Sequence, residues 1–205
     1  MEKKEPIRRR ILALRDGMAK EERDRKSGKI AEKIIRSCWY QEADILLAYV
    51  NFRSEADTGA ILRQALSDGK KVYCPKVEGE RMNFYQILSL DDLEEGYCGI
   101  KEPRAKEKNL FFGQKAMSGR CLMVMPGSVF DKKCNRMGYG KGYYDKYLDS
   151  LLCENPGLAY HMKLIGLCFE CQMQERIPAE TYDRKTDGVV TEERIYEQQS
   201  RERRL

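Results

Sequence analysis

The sequence predicts an α/β fold, an open and mostly parallel sheet preceded by N-terminal helices. Three observations carry this expectation. Asp44 to Val50 reads as an apolar strand, Thr58 to Leu66 as a helix ended by Asp68-Gly69, and Lys71 to Pro75 as a second strand. Strand, helix and strand joined by short loops form a unit that implies parallel pairing with a right-handed crossover. Two later runs, Cys121 to Met125 and Leu164 to Phe169, read as further strands, and Lys3 to Arg36 carries helical rather than strand periodicity.

Taken in order, Lys3 to Arg36 resolves into two helices. Ile7, Ile11, Leu12 and Leu14 recur at roughly helical spacing, as do Ile30, Ile34 and Ile35 with Ala31 beside them. Pro6 fits only the first turn of the opening helix, which sets Lys4 and Arg8 near its start. Those two cations have a bland reading as a solvated basic face. Asn51 to Asp57 joins the first strand to its helix at the carboxyl edge of the sheet, where open α/β sheets bind ligands. There Glu55 is placed to accept hydrogen bonds from a substrate amine, and Phe52 to stack on a flat ring. Equally, Asp57 caps the helix and Glu55 only favours its N-terminus.

Met82 to Leu88 alternates like a strand and is followed by an acidic turn and by the loop Gly96 to Pro103. Arg104 to Arg120 has little periodicity. Pro126-Gly127 turns the chain after the Cys121–Met125 strand, again at the carboxyl edge. The helix after the next glycines is expected to run to about Leu152, and Val189 to Thr191 to form a last short strand. Asp183 and Asp187 read as metal or phosphate-water ligands, or as plain turn residues. Gln198 to Leu205 lacks an apolar face and reads as a frayed tail. With no repeat and no low-complexity linker, residues 1–205 are read as one domain.

Size and charge narrow the chemistry. The chain has 205 residues, 35% of them charged, with a net charge of +5 and much of the excess in the terminal segments. Nothing accompanies that excess that resembles an aromatic-basic nucleic-acid motif, so no nucleic-acid partner is expected. Without a signal peptide or a membrane-length apolar run, a cytoplasmic chain with reduced thiols is expected for its eight cysteines. Cys168 and Cys171 form a C-x-x-C, but no second pair has zinc-like spacing, so ordinary strand and loop cysteines are the expectation. The single histidine, His161, leaves no Ser-His or Cys-His pair in their common forms. Chemistry must then fall to phosphate, metal and carboxylates.

The densest stretch is Arg136-Met137-Gly138-Tyr139-Gly140-Lys141-Gly142-Tyr143-Tyr144-Asp145, which joins the Cys121–Met125 strand to the following helix. Alternating glycines at a helix start suit a chain wrapped around an anion, and the helix N-terminus favours phosphate. Arg136 and Lys141 add cations, and Asp145 could hold a divalent metal against the same phosphates. A nucleotide triphosphate site is the reading. The P-loop spacing is absent, and the dinucleotide pattern fails because Tyr143 stands at its third glycine. A flexible glycine turn before a helix is therefore the plain alternative.

Pro126-Gly127-Ser128-Val129-Phe130-Asp131 followed by Asn135 to Asp145 resembles the signature of the 5-formyltetrahydrofolate cyclo-ligase (methenyltetrahydrofolate synthetase) family. Lys4-Glu5-Pro6-Ile7-Arg8, Ser54 to Thr58, Gly99 to Pro103 and Tyr182 to Asp187 fit the family in the same order. The resemblance implies a three-layer α/β/α sheet and an ATP- and Mg2+-dependent enzyme closing 5-formyltetrahydrofolate to 5,10-methenyltetrahydrofolate. Carried over by position, Lys4, Arg8 and the run Arg136, Gly138, Tyr139, Gly140, Lys141, Gly142, Tyr143 and Tyr144 would meet ATP, with Lys4, Arg136 and Lys141 catalytic. Asp145 and Asp183 would hold magnesium, and Val50, Phe52 and Glu55 would line the folate site. A monomer is expected. The chain departs from the family at Pro6, at Ile7 in place of leucine, and at Tyr182 in place of histidine or asparagine. Two other functions suit the same residues: a non-catalytic nucleotide- or RNA-binding module, and an ATP-dependent enzyme acting on another small heterocycle.

Overall fold

The computed structural model describes residues 3–96, 99–113, 119–180 and 183–198. Tyr182 and residues 199–205 of the expected tail lie outside the described residues. Gln198 does not fray as expected, because its amide donates to the Asp187 carbonyl at 2.9 Å.

The two N-terminal helices form as α1 (Lys4–Asp16) and α2 (Lys20–Arg36), with Pro6 in the first turn of α1. The buried face of α1 is Ile7, Ile11 and Arg15, one stripe at intervals of four. Leu14 was expected on that face but is 56% exposed. It falls off the line that Ile7 and Ile11 define, and a cation takes the buried place. A short helix, α3 (Cys38–Gln41), is started by Ser37, whose side chain accepts from the Tyr40 amide.

The main sheet contains β1 (Ile45–Ala48), β2 (Lys71–Glu78), β3 (Arg81–Ile87), β6 (Cys121–Met125), β9 (Met162–Leu167), β11 (Gly188–Val190) and β12 (Ile195–Glu197). Their order is β12-β11-β9-β6-β1-β2-β3. The pairs from β11 to β2 are all parallel, while β3 and β12 close the two edges antiparallel. The expected unit is present, with α4 (Gly59–Ser67) crossing from β1 to β2. Val189 and Val190 are indeed in a strand, but it is not the last: β12 follows it, with too little apolar character to stand out in sequence.

Alternate strand residues feed opposite faces, as strand geometry requires. Leu46, Ala48, Leu122, Val124, Ile165 and Leu167 pack with Ile30 and Ile34 of α2 and Ile61 and Leu62 of α4. Ile45, Leu47, Cys121, Met123 and Met125 pack with Leu148 and Leu151 of α5 (Tyr143–Glu154) on the other side. The result is the three-layer α/β/α arrangement. Cys168 is buried beside Phe130, Cys134 and Val189, and burial pushes its thiol pKa well up, so it behaves as a core residue.

A second sheet has no counterpart in the sequence reading. The strands β7 (Val129–Asp131), β8 (Arg136–Met137) and β10 (Met173–Gln174) are ordered β10-β7-β8, and a separate hairpin pairs β4 (Leu93–Glu95) with β5 (Lys101–Pro103). Strands of two or three residues show no period to read. The small sheet matters because α1 packs on it: Ile7 and Ile11 meet Val129, Met137 and Ile177. The first helix is thereby held against the chain that leads into the glycine stretch. Among the described residues no helix is long and apolar enough to cross a membrane.

Candidate active site

The chain leaves β1 through Tyr49 and Val50 and turns back to α4 by a tightly bonded loop. The Tyr49 hydroxyl donates to the Ala56 carbonyl at 2.8 Å, and Thr58 Oγ1 donates to the Tyr49 carbonyl at 2.6 Å. Arg53 sits at φ 52°, in the left-handed region that few non-glycine residues enter, with its guanidinium 4.8 Å from the Phe52 ring centre. This turn sends Glu55 inward. Its Oε2 accepts from the Phe52 amide at 2.8 Å, and its Oε1 accepts from the Tyr139 hydroxyl at 2.7 Å. Glu55 therefore does not serve the helix start. Asp57 does, accepting from the Gly59 amide at 2.8 Å.

Burial raises the pKa of the Glu55 carboxyl, while the Tyr139 hydroxyl, the Phe52 amide and Arg15 pull it down. Burial and the adjacent Glu55 push the Tyr139 hydroxyl strongly up, so it stays a protonated donor.

The glycine stretch forms the facing wall. Gly140 (φ 102°) and Gly142 (φ 68°) adopt positive φ, where a side chain would be strained. Gly142 opens α5, and no side chain caps that end. The Gly138 carbonyl accepts from Arg8 Nε at 2.9 Å and from Ser128 Oγ at 3.1 Å. Arg136 is buried, donates to Asp145 Oδ1 at 2.8 Å and lies 5.6 Å from the Tyr144 ring centre. Its Nε is buried and has no hydrogen-bond partner among the described residues.

Both walls enclose one cavity of about 230 Å3. Val50, Phe52 and Glu55 line it from the β1 loop; Arg136, Gly138, Tyr139, Lys141 and Gly142 line it from the glycine stretch, with Tyr143, Tyr144 and Asp145 at the start of α5. Four expected site residues are not on this lining. Arg8 and Gly140 stand just behind it, about 3.9 Å apart as measured to a Cβ built on the glycine. Lys4 pairs with Asp183 at 2.6 Å, and Asp183 borders a neighbouring polar cavity. The Arg184 amide donates to Asp145 Oδ1 at 3.2 Å, so Asp183 lies one residue from a direct contact with Asp145. The two carboxylates expected to take a metal are thus each held by a cation expected to meet phosphate. Among the described residues, no group of three or more His, Cys, Asp or Glu side chains is placed to hold a metal ion.

Residues 1–192 match the model of the 5-formyltetrahydrofolate cyclo-ligase family. The chain belongs to that family. It is 31% identical over 196 residues to a probable 5-formyltetrahydrofolate cyclo-ligase of Caenorhabditis elegans, covering 93% of each chain. It is 29% identical over 195 residues to the 5-formyltetrahydrofolate cyclo-ligase of Mus musculus, covering 91% of this chain and 90% of that one. Among solved structures, it resembles the 5,10-methenyltetrahydrofolate synthetase of Aquifex aeolicus with a TM-score of 0.78 and 27% identity, over 98% of this chain and 95% of that one.

Several residues of this cyclo-ligase family member were given no role in the sequence reading. Glu102 is buried, lines the cavity and accepts from the Val77 amide at 3.0 Å. Arg15 is only 3% exposed and reaches Tyr139. Its place four residues beyond Ile11 was the available signal. Asp131, fully buried, accepts from the amides of Lys133, Asn135 and Ile177 and from the Asn135 side chain, at 2.8–3.1 Å. That carboxylate fixes the turn delivering Arg136 to the cavity. Asp131→Ala leaves several buried donors without an acceptor and is expected to lower stability by roughly 2–3 kcal/mol, read as a fall in the urea unfolding midpoint.

Proposed function

We propose that this chain catalyses the ATP-dependent closure of 5-formyltetrahydrofolate to 5,10-methenyltetrahydrofolate, releasing ADP and phosphate. The observation that carries the reading is the shared cavity: the cationic glycine stretch and the Glu55 loop face one space, in a chain whose family membership spans residues 1–192.

A formamide oxygen is a poor leaving group. Its attack on the γ-phosphorus of ATP expels ADP and converts it to a phosphate ester. Attack by N-10 on the formyl carbon, with loss of the N-10 proton, then expels phosphate carrying that oxygen. The folate supplies its own nucleophile, so the protein needs none. What remains is alignment and charge stabilisation. Arg136 lines the cavity with its guanidinium charge, and Lys141 lines it too, with no hydrogen-bond or ion-pair partner among the described residues. Arg8 braces the loop through the Gly138 carbonyl. Val50, Phe52 and Glu55 receive the pterin, with the anionic Glu55 carboxylate meeting its N–H edge.

Asp145 and Asp183 suit magnesium, being hard oxygen donors brought near one another by the Arg184 amide contact. They would hold the ion, whose charge offsets that of the triphosphate. Arg136 and Lys4, their present partners, would then be free to meet phosphate oxygens.

The test is direct. Purified protein given 5-formyltetrahydrofolate, ATP and Mg2+ is expected to produce the absorbance of the methenyl product, and omission of ATP or addition of a chelator should abolish it. Folded protein that yields no product under the complete conditions would overturn the reading.

A further inference from the structure

We infer that Arg15 is a positioning residue for the folate subsite, acting on Glu55 through the hydroxyl of Tyr139. The inference rests on the proposed reading of Glu55 as the residue that meets the pterin.

The geometry is a relay across three separate segments of chain. Arg15 comes from the last turn of α1, Glu55 from the loop after β1 and Tyr139 from the glycine stretch. Arg15 Nη1 donates to the Tyr139 hydroxyl at 2.6 Å, and that hydroxyl donates onward to Glu55 Oε1 at 2.7 Å. A single phenol thus accepts from a cation and donates to an anion, using its one proton and a lone pair in the only order that satisfies both neighbours. Such charge-assisted bonds are stronger than neutral ones.

Arg15 is itself held. Its Nε donates to Ser54 Oγ at 2.9 Å, Nη2 lies 3.7 Å from Asp16, and its guanidinium carbon is 5.7 Å from the Tyr139 ring centre. Ser54 Oγ in turn contacts Asp16. A guanidinium only 3% exposed is costly to bury unless it is paired on every side. The Arg15 fork therefore locks Ser54, immediately before Glu55, and Tyr139, immediately opposite it. Tyr139 is 42% exposed overall, so its ring remains open to the cavity while its hydroxyl is committed to the relay.

This changes what Tyr139 does. Its backbone belongs to the stretch read as holding the triphosphate, but its side chain serves the folate side. Among the described residues no hydrogen bond or ion pair joins the relay to Arg136, Lys141 or Asp145, so losing it should be felt by folate and not by nucleotide.

The experiment compares steady-state constants of wild type, Tyr139→Phe, Arg15→Met and Arg15→Lys. Tyr139→Phe removes one oxygen and keeps the ring. It is expected to raise the folate KM about tenfold, the usual effect of deleting one hydrogen bond to a charged group, with the ATP KM unchanged. Arg15→Met is expected to show the same split, and Arg15→Lys to recover part of it by restoring the charge without the fork. A folate KM that stays at the wild-type value in Tyr139→Phe overturns the inference, as does a parallel rise in both KM values. If Arg15→Met fails to fold, the Tyr139→Phe constants decide alone. Wild-type protein that forms no methenyl product sinks the activity reading, and this inference with it. An active wild type with an unaffected Tyr139→Phe sinks the inference alone.

Discussion

Arg136→Ala is expected to lower the rate of methenyl formation by about 10²–10³, the usual consequence of removing one preorganised charge contact from a transition state, with a much smaller loss of folate affinity. Arg136 lies on the side of the cavity proposed for the nucleotide, with its guanidinium on Asp145. A group that meets the transferring phosphoryl group acts mainly in the transition state, so the loss should appear in kcat. Two controls separate this from a folding defect. The substitution also strips Asp145 of its cation, so the thermal midpoint must be measured beside the rate. Arg136→Lys keeps a charge but not the planar fork that reaches Asp145 and the cavity together, and should recover only part of the rate. Equal losses of rate and of folate affinity would assign Arg136 a structural or general binding role.

Glu55→Gln is expected to weaken folate binding by about 10- to 100-fold, the range for a hydrogen bond to a charged group, and to leave ATP binding in place. The reasoning is electrostatic as well as geometric. Both Glu55 oxygens already accept one hydrogen bond each, from Phe52 and Tyr139, and the carboxylate has further lone pairs for the substrate. An amide has one oxygen, and its NH2 would face a donor. Burial raises the Glu55 pKa above the ordinary glutamate value of 4.5. Folate affinity should therefore be complete above that raised pKa and fall as the pH is lowered through it, because the anion is the accepting form. The glutamine variant should lack this acidic limb. Titrations of folate at several pH values, with and without the substitution, read both effects. An unchanged affinity would remove Glu55 from the site.

Much of this molecule is readable from residue order. The β1-α4-β2 unit announces itself through apolar segments of five to nine residues set between short loops, and the glycine stretch through a concentration of charges and aromatics in ten residues. The misreadings have a common origin. β7, β8, β10 and β12 are too short to carry a period, so the small sheet under α1 and the last edge strand of the main sheet were invisible. Leu14 looked like core and Arg15 was passed over because hydrophobicity was the only guide to burial, whereas Arg15 is buried by partners 39 and 124 residues away. The even choice between Glu55 and Asp57 at the start of α4 turned on which way a loop with a left-handed Arg53 points.

Residue order was enough to specify a parallel α/β sheet, a glycine-rich loop at its carboxyl edge and membership of the 5-formyltetrahydrofolate cyclo-ligase family, because each is a local pattern or a linear motif. Only the folded chain decided which charges neutralise one another. Lys4 with Asp183, and Arg15 with Glu55 through Tyr139, join distant segments, and Arg136 meets Asp145 across the fold of the glycine stretch. Charge pairing in a buried site depends on distance in space and on desolvation, and neither quantity is written along the chain.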